Sequence, residues 1–565
     1  MNSKIKIKTH LSPTQKSRST DLTDIISSFP EDIFKNLKVL FINMPLRESA
    51  KPNTPPQGPA LLAARLRNFG AETTILDLNA YRVPVDNDQK KFRLLTFNEA
   101  EQLFLRHISK YGDQDIIGFS GIITTLRWQE KFAKICRRYQ PDSFLLSGGG
   151  LATQFKEGLF HWIDELDAVS HSEGDDIMML IAKQIVDKKK GVNLSLNNPC
   201  YIGQINSRDR FLYSGNRPKN LDILPFPAWD LLEKDVDGQN ILEWYIETPV
   251  WGGDANNSSA APFTMKRSLT TVSSRGCPYA CTFCYRGAQG ERLYGMRCEK
   301  SLADEVSWLI DRYNIDFVGF PDDNFAVDKK RIKRLPDAFK ELNIRWGTHT
   351  RLDEADSRVE DMAKSGCVYI GFGAESASAK VLDEMKKGGF ILKRGLTQIN
   401  GYDLPTTMVD GIKNCYDYGI HSNCTWIMGY PSESLDDLKT SVSFIEWQKE
   451  FVTNGLVSGT PEYENAINSI NQNMFVATAY PGTEMFKNKK VIQKLSENFG
   501  INFDSNLQPI LDDNFKQYVL ELDDATKLLT GKDGQIINYS DIPDQQFRDI
   551  RELVKKKQLS KVLDL

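Results

Sequence analysis

Apolar and polar positions follow two rhythms along this chain, and the two alternate within each of two long blocks. From Lys38, KVLFIN is a short apolar run of the kind a buried strand shows, and PPQGPALLAARLRNFG sets Leu62, Leu66 and Phe69 at helical spacing before Gly70. ETTILDL, DIIGFSG (Asp115–Gly121), SFLLSGGG and LDAVSHSEG supply four further strand candidates, with helical text at Leu126–Arg138 and Asp176–Lys188. Strands alternating with helices predict an α/β fold with a doubly wound parallel sheet over residues 36–190. Residues 1–35 carry Ser, Thr, Lys and Pro without apolar period and are expected to form a flexible arm. Residues 191–267, rich in Asn, Pro, Gly and Trp, read as a connector that includes the turn DILPFPAWD.

The second block spans residues 268–490. SLTTVSS, FVGFPDD, IRWGTHTR, CVYIGFGAES, CTWIMGY and MFVATAY are six strand candidates with helical text between most of them, which predicts a parallel α/β barrel of the TIM type or part of one. The carboxy-terminal region, 491–565, is less regular apart from an amphipathic helix with Phe547, Ile550 and Val554 on one face. At 565 residues the chain has room for about three domains. Hydrophobic residues make up 40% and charged residues 26%, with 71 Lys and Arg against 75 Asp and Glu, so a net charge of -4 gives a nucleic-acid partner no electrostatic support. No apolar run is long enough to span a membrane, and the first thirty residues lack the apolar middle of a secretory signal, so a cytoplasmic protein is expected.

Nine cysteines are too sparse for a disulfide scaffold, yet three of them crowd into SSRGCPYACTFCYR directly after the strand SLTTVSS. Cys277, Cys281 and Cys284 stand in a C-x3-C-x2-C spacing, which suits three corners of an iron–sulfur cube with the fourth iron left open. A structural zinc site wants four ligands, usually in two pairs, and neither a second C-x2-C nor a nearby His completes one. Cys298, fourteen residues beyond Cys284, stands as an optional fourth ligand. With this loop the sequence resembles the radical S-adenosylmethionine enzymes over roughly residues 268–490. The resemblance implies that Cys277, Cys281 and Cys284 hold a 4Fe–4S cluster whose open iron chelates S-adenosylmethionine, and that Phe283 meets its adenine. In FVGFPDDNFAVD it places Asp322, Asp323 and Asn324 near the methionine amino group. The departure from the commoner Gly-Gly-Glu form leaves open which of the three makes the contact. Arg351, Glu375 with Ser376, and Gly429 follow the third, fourth and fifth strands, where parallel barrels build their sites, although a single Arg or Glu there is more often a salt-bridged surface residue.

The loops of the first block contain no G-x-G-x-x-G fingerprint and no Walker lysine. Gly148, Gly149 and Gly150 permit close backbone approach by a ligand, or simply a tight strand-to-helix turn. Together with the radical loop, however, the text PPQGPALLAARLRNFGAETTILDLNAY, SGGGLAT and HSEGDDIMMLI is similar to the Rossmann-like cobalamin-binding domain of cobalamin-dependent radical S-adenosylmethionine enzymes. By that resemblance Asn43, Met44, Gln57, Gly58, Ser120, Gly121, the three glycines, Glu173 and Gly174 would surround the corrin and its nucleotide tail. The D-x-H-x-x-G motif that donates a histidine to cobalt is absent, since none of the six histidines has Asp two residues earlier.

The activity this implies is methylation of an unactivated carbon, or a phosphinate phosphorus, of a small molecule, lipid or peptide, with an electron donor such as flavodoxin or ferredoxin. The alternatives are a cyclising, ring-contracting or oxidising enzyme with the same cofactors, and a non-catalytic cobalamin-binding sensor. The acceptor is expected to enter at the barrel mouth, beside Phe451–Asn473 and the carboxy-terminal region.

Overall fold

Each apolar run of the first block forms a strand in the computed structural model, which describes residues 22–46, 52–85, 88–218, 220–248, 250, 264–285, 294–522 and 528–565. The strands are β1 (Lys38–Asn43), β2 (Glu72–Asp77), β3 (Ile116–Ser120), β4 (Phe144–Gly148) and β5 (Ala168–Ser172), all parallel, in the spatial order β2-β1-β3-β4-β5. Both faces of the sheet are covered. Val39 and Phe41 of β1 enter one apolar core while Leu40 and Ile42 enter another, which is why the run is continuous and not alternating. Helices α2 (Gln57–Arg67), α3 (Phe97–Tyr111), α4 (Leu126–Tyr139), the short α5 (Gly150–Phe155) and α6 (Asp175–Lys189) follow the strands in the doubly wound manner expected.

The expected connector does more than connect. β6 (Tyr201–Ile205) and β7 (Arg208–Gly215) form a hairpin that widens the first sheet, with β7 parallel to β5 and β6 antiparallel to β7. Its turn residues, Asn206 and Ser207, both take positive φ, 51° and 60°, as a two-residue turn between twisted strands demands. Trp229 and Tyr245 from the same stretch are fully buried, and the Tyr245 hydroxyl donates to Asp77 at 2.6 Å. Of the arm expected over residues 1–35, residues 1–21 lie outside the described residues. Leu22–Ser27 form a helix, α1, and Ile26 and Phe34 are buried, because Phe29, Phe34 and Phe69 pack their rings together.

The second block forms six parallel strands in sequence order: β8 (Ser268–Thr270), β9 (Phe317–Phe320), β10 (Arg345–Arg351), β11 (Cys367–Glu375), β12 (His421–Met428) and β13 (Met474–Val476). This is an open part of a barrel, with helices such as α7 (Glu299–Tyr313), α8 (Lys329–Phe339) and α9 (Leu435–Thr453) between the strands. In the carboxy-terminal region, α10 (Asp544–Lys555) buries Phe547, Ile550 and Val554 as its spacing predicts. Phe515 packs against Phe155 and Trp162, so the tail touches the first domain as well as the barrel. Among the described residues no helix is long and apolar enough to cross a membrane.

Candidate functional site

The carboxyl ends of the two sheets share a cavity of about 560 Å³. The first sheet lines it with Gln57 and Gly58 at the start of α2, Ser120 after β3, Gly148 and Gly149 after β4, and Glu173 and Gly174 after β5. The barrel lines it with Ser274, Arg275, Gly276, Tyr285 and Asp323. Four of the residues expected around a corrin lie outside this wall. Asn43 donates to the Asp77 carboxylate at 2.8 Å, Met44 is fully buried, Gly121 packs on Thr125, and Gly150 opens α5 against Ile122.

Bare Cα atoms matter at two points of the wall. A Cβ on Gly58 would meet nothing within 4 Å, and one on Gly148 only the Phe119 carbonyl at 3.8 Å, so both positions open onto empty space. Gly149 is glycine for a different reason: its φ is +83° and a Cβ would fall 2.7 Å from the Gly121 carbonyl oxygen. Ser170 and Ser172 face the cavity, whereas His171 between them on the strand does not line it. His171 is buried, with Nδ1 unpartnered, and burial holds its pKa below the usual imidazole value.

Charge on the cavity wall is paired across the domains. Arg275, two residues before Cys277, reaches Glu173 at 2.9 Å and Asp175 at 2.5 Å. Arg217, beyond β7, meets the other Glu173 oxygen at 2.7 Å and donates to the Arg275 carbonyl at 2.8 Å. Burial alone would raise the Asp175 carboxyl, but Arg275 beside it holds it below the usual range.

The cysteine loop is clamped through its backbone. Thr282 N–H donates to the Met385 carbonyl at 3.0 Å, Met485 N–H donates to the Thr282 carbonyl at 2.8 Å, and the Thr282 and Tyr430 hydroxyls lie 2.6 Å apart. Asp322 is buried and accepts from Ser273 N–H at 2.9 Å and from both the Ser273 and Ser274 hydroxyls, so it ties the end of β8 to the end of β9. Asp323 is the acid that faces the cavity, accepting from Gly276 N–H at 3.1 Å. Asn324 is buried behind them, accepting from Thr350 at 2.6 Å.

Partial burial raises the Cys277 thiol, whereas Cys284 stands exposed. Among the described residues no three His, Cys, Asp or Glu side chains converge on a single ion, whereas a cube takes each thiolate at a separate corner. Cys298 acts as a helix cap instead, its sulfur accepting from Ser301 N–H at 3.4 Å at the start of α7.

A second cavity, about 300 Å³, lies at the barrel mouth and brings Phe283 and Glu375 together with Thr425, Ile427, Ala477 and Tyr480. Glu375 sits at φ +67° and pairs with Lys387 at 3.2 Å; the buried Lys387 ammonium also donates to the Gly373 carbonyl. Nothing in the local text MKKGGF marks Lys387 as part of a site. Arg351 turns toward the cysteine loop, with Nη1 3.7 Å from the Cys281 sulfur, Nε on Asp353 at 2.9 Å and Nη2 on the Lys387 carbonyl at 3.2 Å. Ser376 is buried against Ser441. Gly429 lines neither cavity; its Cα faces the Phe547 ring, and its N–H donates to Glu433 at 2.6 Å. Neither Phe451–Asn473 nor the described part of the carboxy-terminal region lines either cavity.

Residues 271–445 match the model of the Radical SAM superfamily. An uncharacterised methyltransferase of Pyrococcus horikoshii is 26% identical over 423 residues, which cover 73% of this chain and 78% of that protein. Cytidylyl-2-hydroxyethylphosphonate methyltransferase of Streptomyces wedmorensis is 26% identical over 431 residues, 70% of this chain and 73% of that one. Among solved structures, the cobalamin-dependent S-adenosylmethionine radical enzyme OxsB, with aqua-cobalamin and S-adenosylmethionine bound, superposes with a TM-score of 0.58 at 16% identity. That match covers 84% of this chain and 64% of OxsB, so the chain spans less than two thirds of that enzyme. The three-cysteine loop heads a six-stranded parallel part-barrel joined to a doubly wound sheet, so residues 271–445 are similar to the Radical SAM superfamily and the chain shares its fold with the cobalamin-dependent radical enzyme OxsB.

Proposed function

We propose that the chain is a cobalamin-dependent radical S-adenosylmethionine methyltransferase acting on an unactivated carbon, or a phosphinate phosphorus, of a small molecule, lipid or peptide. The observation that carries this reading is the cavity walled jointly by the glycine loops of the first sheet and by the cysteine loop of the barrel. Bound there, a 4Fe–4S cluster with S-adenosylmethionine would supply a 5′-deoxyadenosyl radical, and cobalamin a carrier for the methyl group.

The residues present suit these groups. Cys277, Cys281 and Cys284 would hold the cluster, and the loop that carries them is held by hydrogen bonds at Thr282 and Gly276. Phe283 and Glu375 in the smaller cavity would take the nucleoside of S-adenosylmethionine, with Lys387 holding the Glu375 carboxylate in place. Asp323, free of the serine contacts that occupy Asp322, is the acid that would meet the methionine amino group. Gly58 and Gly148 leave room for a broad flat ligand, Gln57 and Ser120 offer it polar atoms, and among the described residues no histidine lines the cavity. The acceptor would sit where it can approach both bound groups, since each step needs near-contact geometry. Electrons would come from a donor such as flavodoxin or ferredoxin, consistent with a cytoplasmic setting.

Protein purified and reconstituted without oxygen should hold about four iron and four sulfide per chain and retain about one cobalamin. Iron at this level with no retention of hydroxocobalamin would leave a radical enzyme and remove the methyl carrier from the reading.

A further inference from the structure

The two halves of the site belong to different domains, and few covalent constraints set the distance between them. The cysteine loop hangs from β8, while the glycine loops hang from the first sheet, which ends near residue 215. What joins them across the cavity is charge. Glu173 stands between two arginines, Arg217 from its own domain at 2.7 Å and Arg275 from the cysteine loop at 2.9 Å. Arg275 spends its second contact on Asp175, at the first turn of α6, and its backbone carbonyl receives Arg217. Glu173, Asp175, Arg217 and Arg275 all line the same cavity and are at most about one fifth exposed.

An ion pair this sheltered is poorly screened, and removing one partner strands the other's charge. The guanidinium fork also fixes direction as well as distance, because Arg275 uses both terminal nitrogens on the Asp175 carboxylate. Gly276 follows immediately and is held by Asp323, so the stretch leading into Cys277 is anchored from both domains at once.

We propose that Arg275 is a positioning residue that, through Glu173 and Asp175, sets the cysteine loop in fixed register with the glycine loops, so that the spacing of cluster and corrin is governed by this ion-pair network. Glu173 then serves the corrin site as the anchor of the neighbouring domain. The inference rests on the functional reading above.

The test uses the full chain loaded with its cluster and with hydroxocobalamin, then reduced until both the cluster and the cobalt are paramagnetic. Pulsed EPR reads the relaxation that the cluster imposes on the cobalt spin, which reports their separation and needs no acceptor. R275Q and E173Q should each keep iron and cobalamin near wild-type content yet give a spread of separations about twofold broader. R275K, which keeps the charge and loses the fork, should fall between them and wild type. R334Q, which breaks the exposed Arg334–Glu299 pair, should match wild type. Wild-type relaxation in both R275Q and E173Q, with both cofactors bound, would overturn the proposal. Should R275Q lose its cluster, E173Q and R275K carry the decision by the same criterion. A wild-type chain that retains cluster but no cobalamin would instead overturn the functional reading itself.

Discussion

Arg351 lies with its guanidinium 4.1 Å from the ring centre of Tyr279, inside the loop between Cys277 and Cys281. The resemblance implies a ligand contact for this strand-end arginine, and in the structure it braces the loop that carries the cysteines. Its planar cation is stacked on the ring while its edges serve Asp353, Lys387 and the Cys281 sulfur. R351A should therefore lower cluster content and deoxyadenosine formation together, by about tenfold in rate, while cobalamin retention is unchanged. R351K should restore little, because an ammonium cannot stack and fork. Iron assay and cobalamin absorbance on the same preparation check both halves, and normal iron in R351A would refute the bracing role.

Replacing Cys277, Cys281 and Cys284 together by Ala should remove about four iron per chain. C298S should keep its iron, since Cys298 is a helix cap that Ser can replace. Cys136, Cys367, Cys415 and Cys424 are buried, so Ala at any of them should cost stability without costing iron. Iron analysis after anaerobic reconstitution distinguishes these cases, and a large loss of iron in C298S would return Cys298 to the ligand set.

Two neighbouring glycines should fail in different ways. G148L places a side chain into the shared cavity from unstrained backbone and should weaken cobalamin binding at least about tenfold with little change in Tm. G149A forces a positive φ and a backbone clash, and should lower stability by about 1–3 kcal/mol. H171A should leave the absorbance of bound cobalamin unchanged, because that side chain does not line the cavity. Equal cobalamin retention by wild type and G148L would place the corrin elsewhere.

Glu433 is buried beneath the loop after β12, and burial pushes its carboxyl up to about 8 against the weaker opposing pull of the Gly429 N–H. The folded chain thus keeps a proton that the unfolded chain releases near 4.5. Stability from this group is complete at low pH and falls as pH rises from about 4.5 to about 8, with little further change above. E433Q should flatten that part of the profile. Urea unfolding of both proteins at several pH values between those limits checks it, and parallel profiles would contradict it.

Much of this site can be read from the chain because its chemistry is local. The six barrel strands, strands β1–β5 of the first sheet and the three cysteines are each announced within a dozen residues by period, composition or spacing. What escapes a reading of the chain depends on contacts far apart in sequence. β7 is hidden because RDRFLYSG opens on three charged residues and lies in Asn-rich text, and its pairing with β5 is visible only once the sheet exists. Arg217 and Arg275 look like ordinary surface charges until the fold sets them on either side of Glu173. Lys387 is legible only through its own burial beside Glu375. Even in the glycine run, sequence does not separate Gly148, which opens onto the cavity, from Gly149, which the backbone alone requires.

The methyltransferase reading requires S-adenosylmethionine to be spent in two ways by one protein: once as methyl donor, leaving S-adenosylhomocysteine, and once as radical source, leaving 5′-deoxyadenosine. The deciding measurement is the fate of methyl-labelled S-adenosylmethionine incubated with the reconstituted, cobalamin-loaded chain, a reductant and candidate acceptors. The expected result is label in the methylated acceptor with the two co-products formed in about equal amounts for carbon methylation. Deoxyadenosine formed alongside a converted acceptor that carries no label would reject methyl transfer and assign the chain to cyclisation, ring contraction or oxidation.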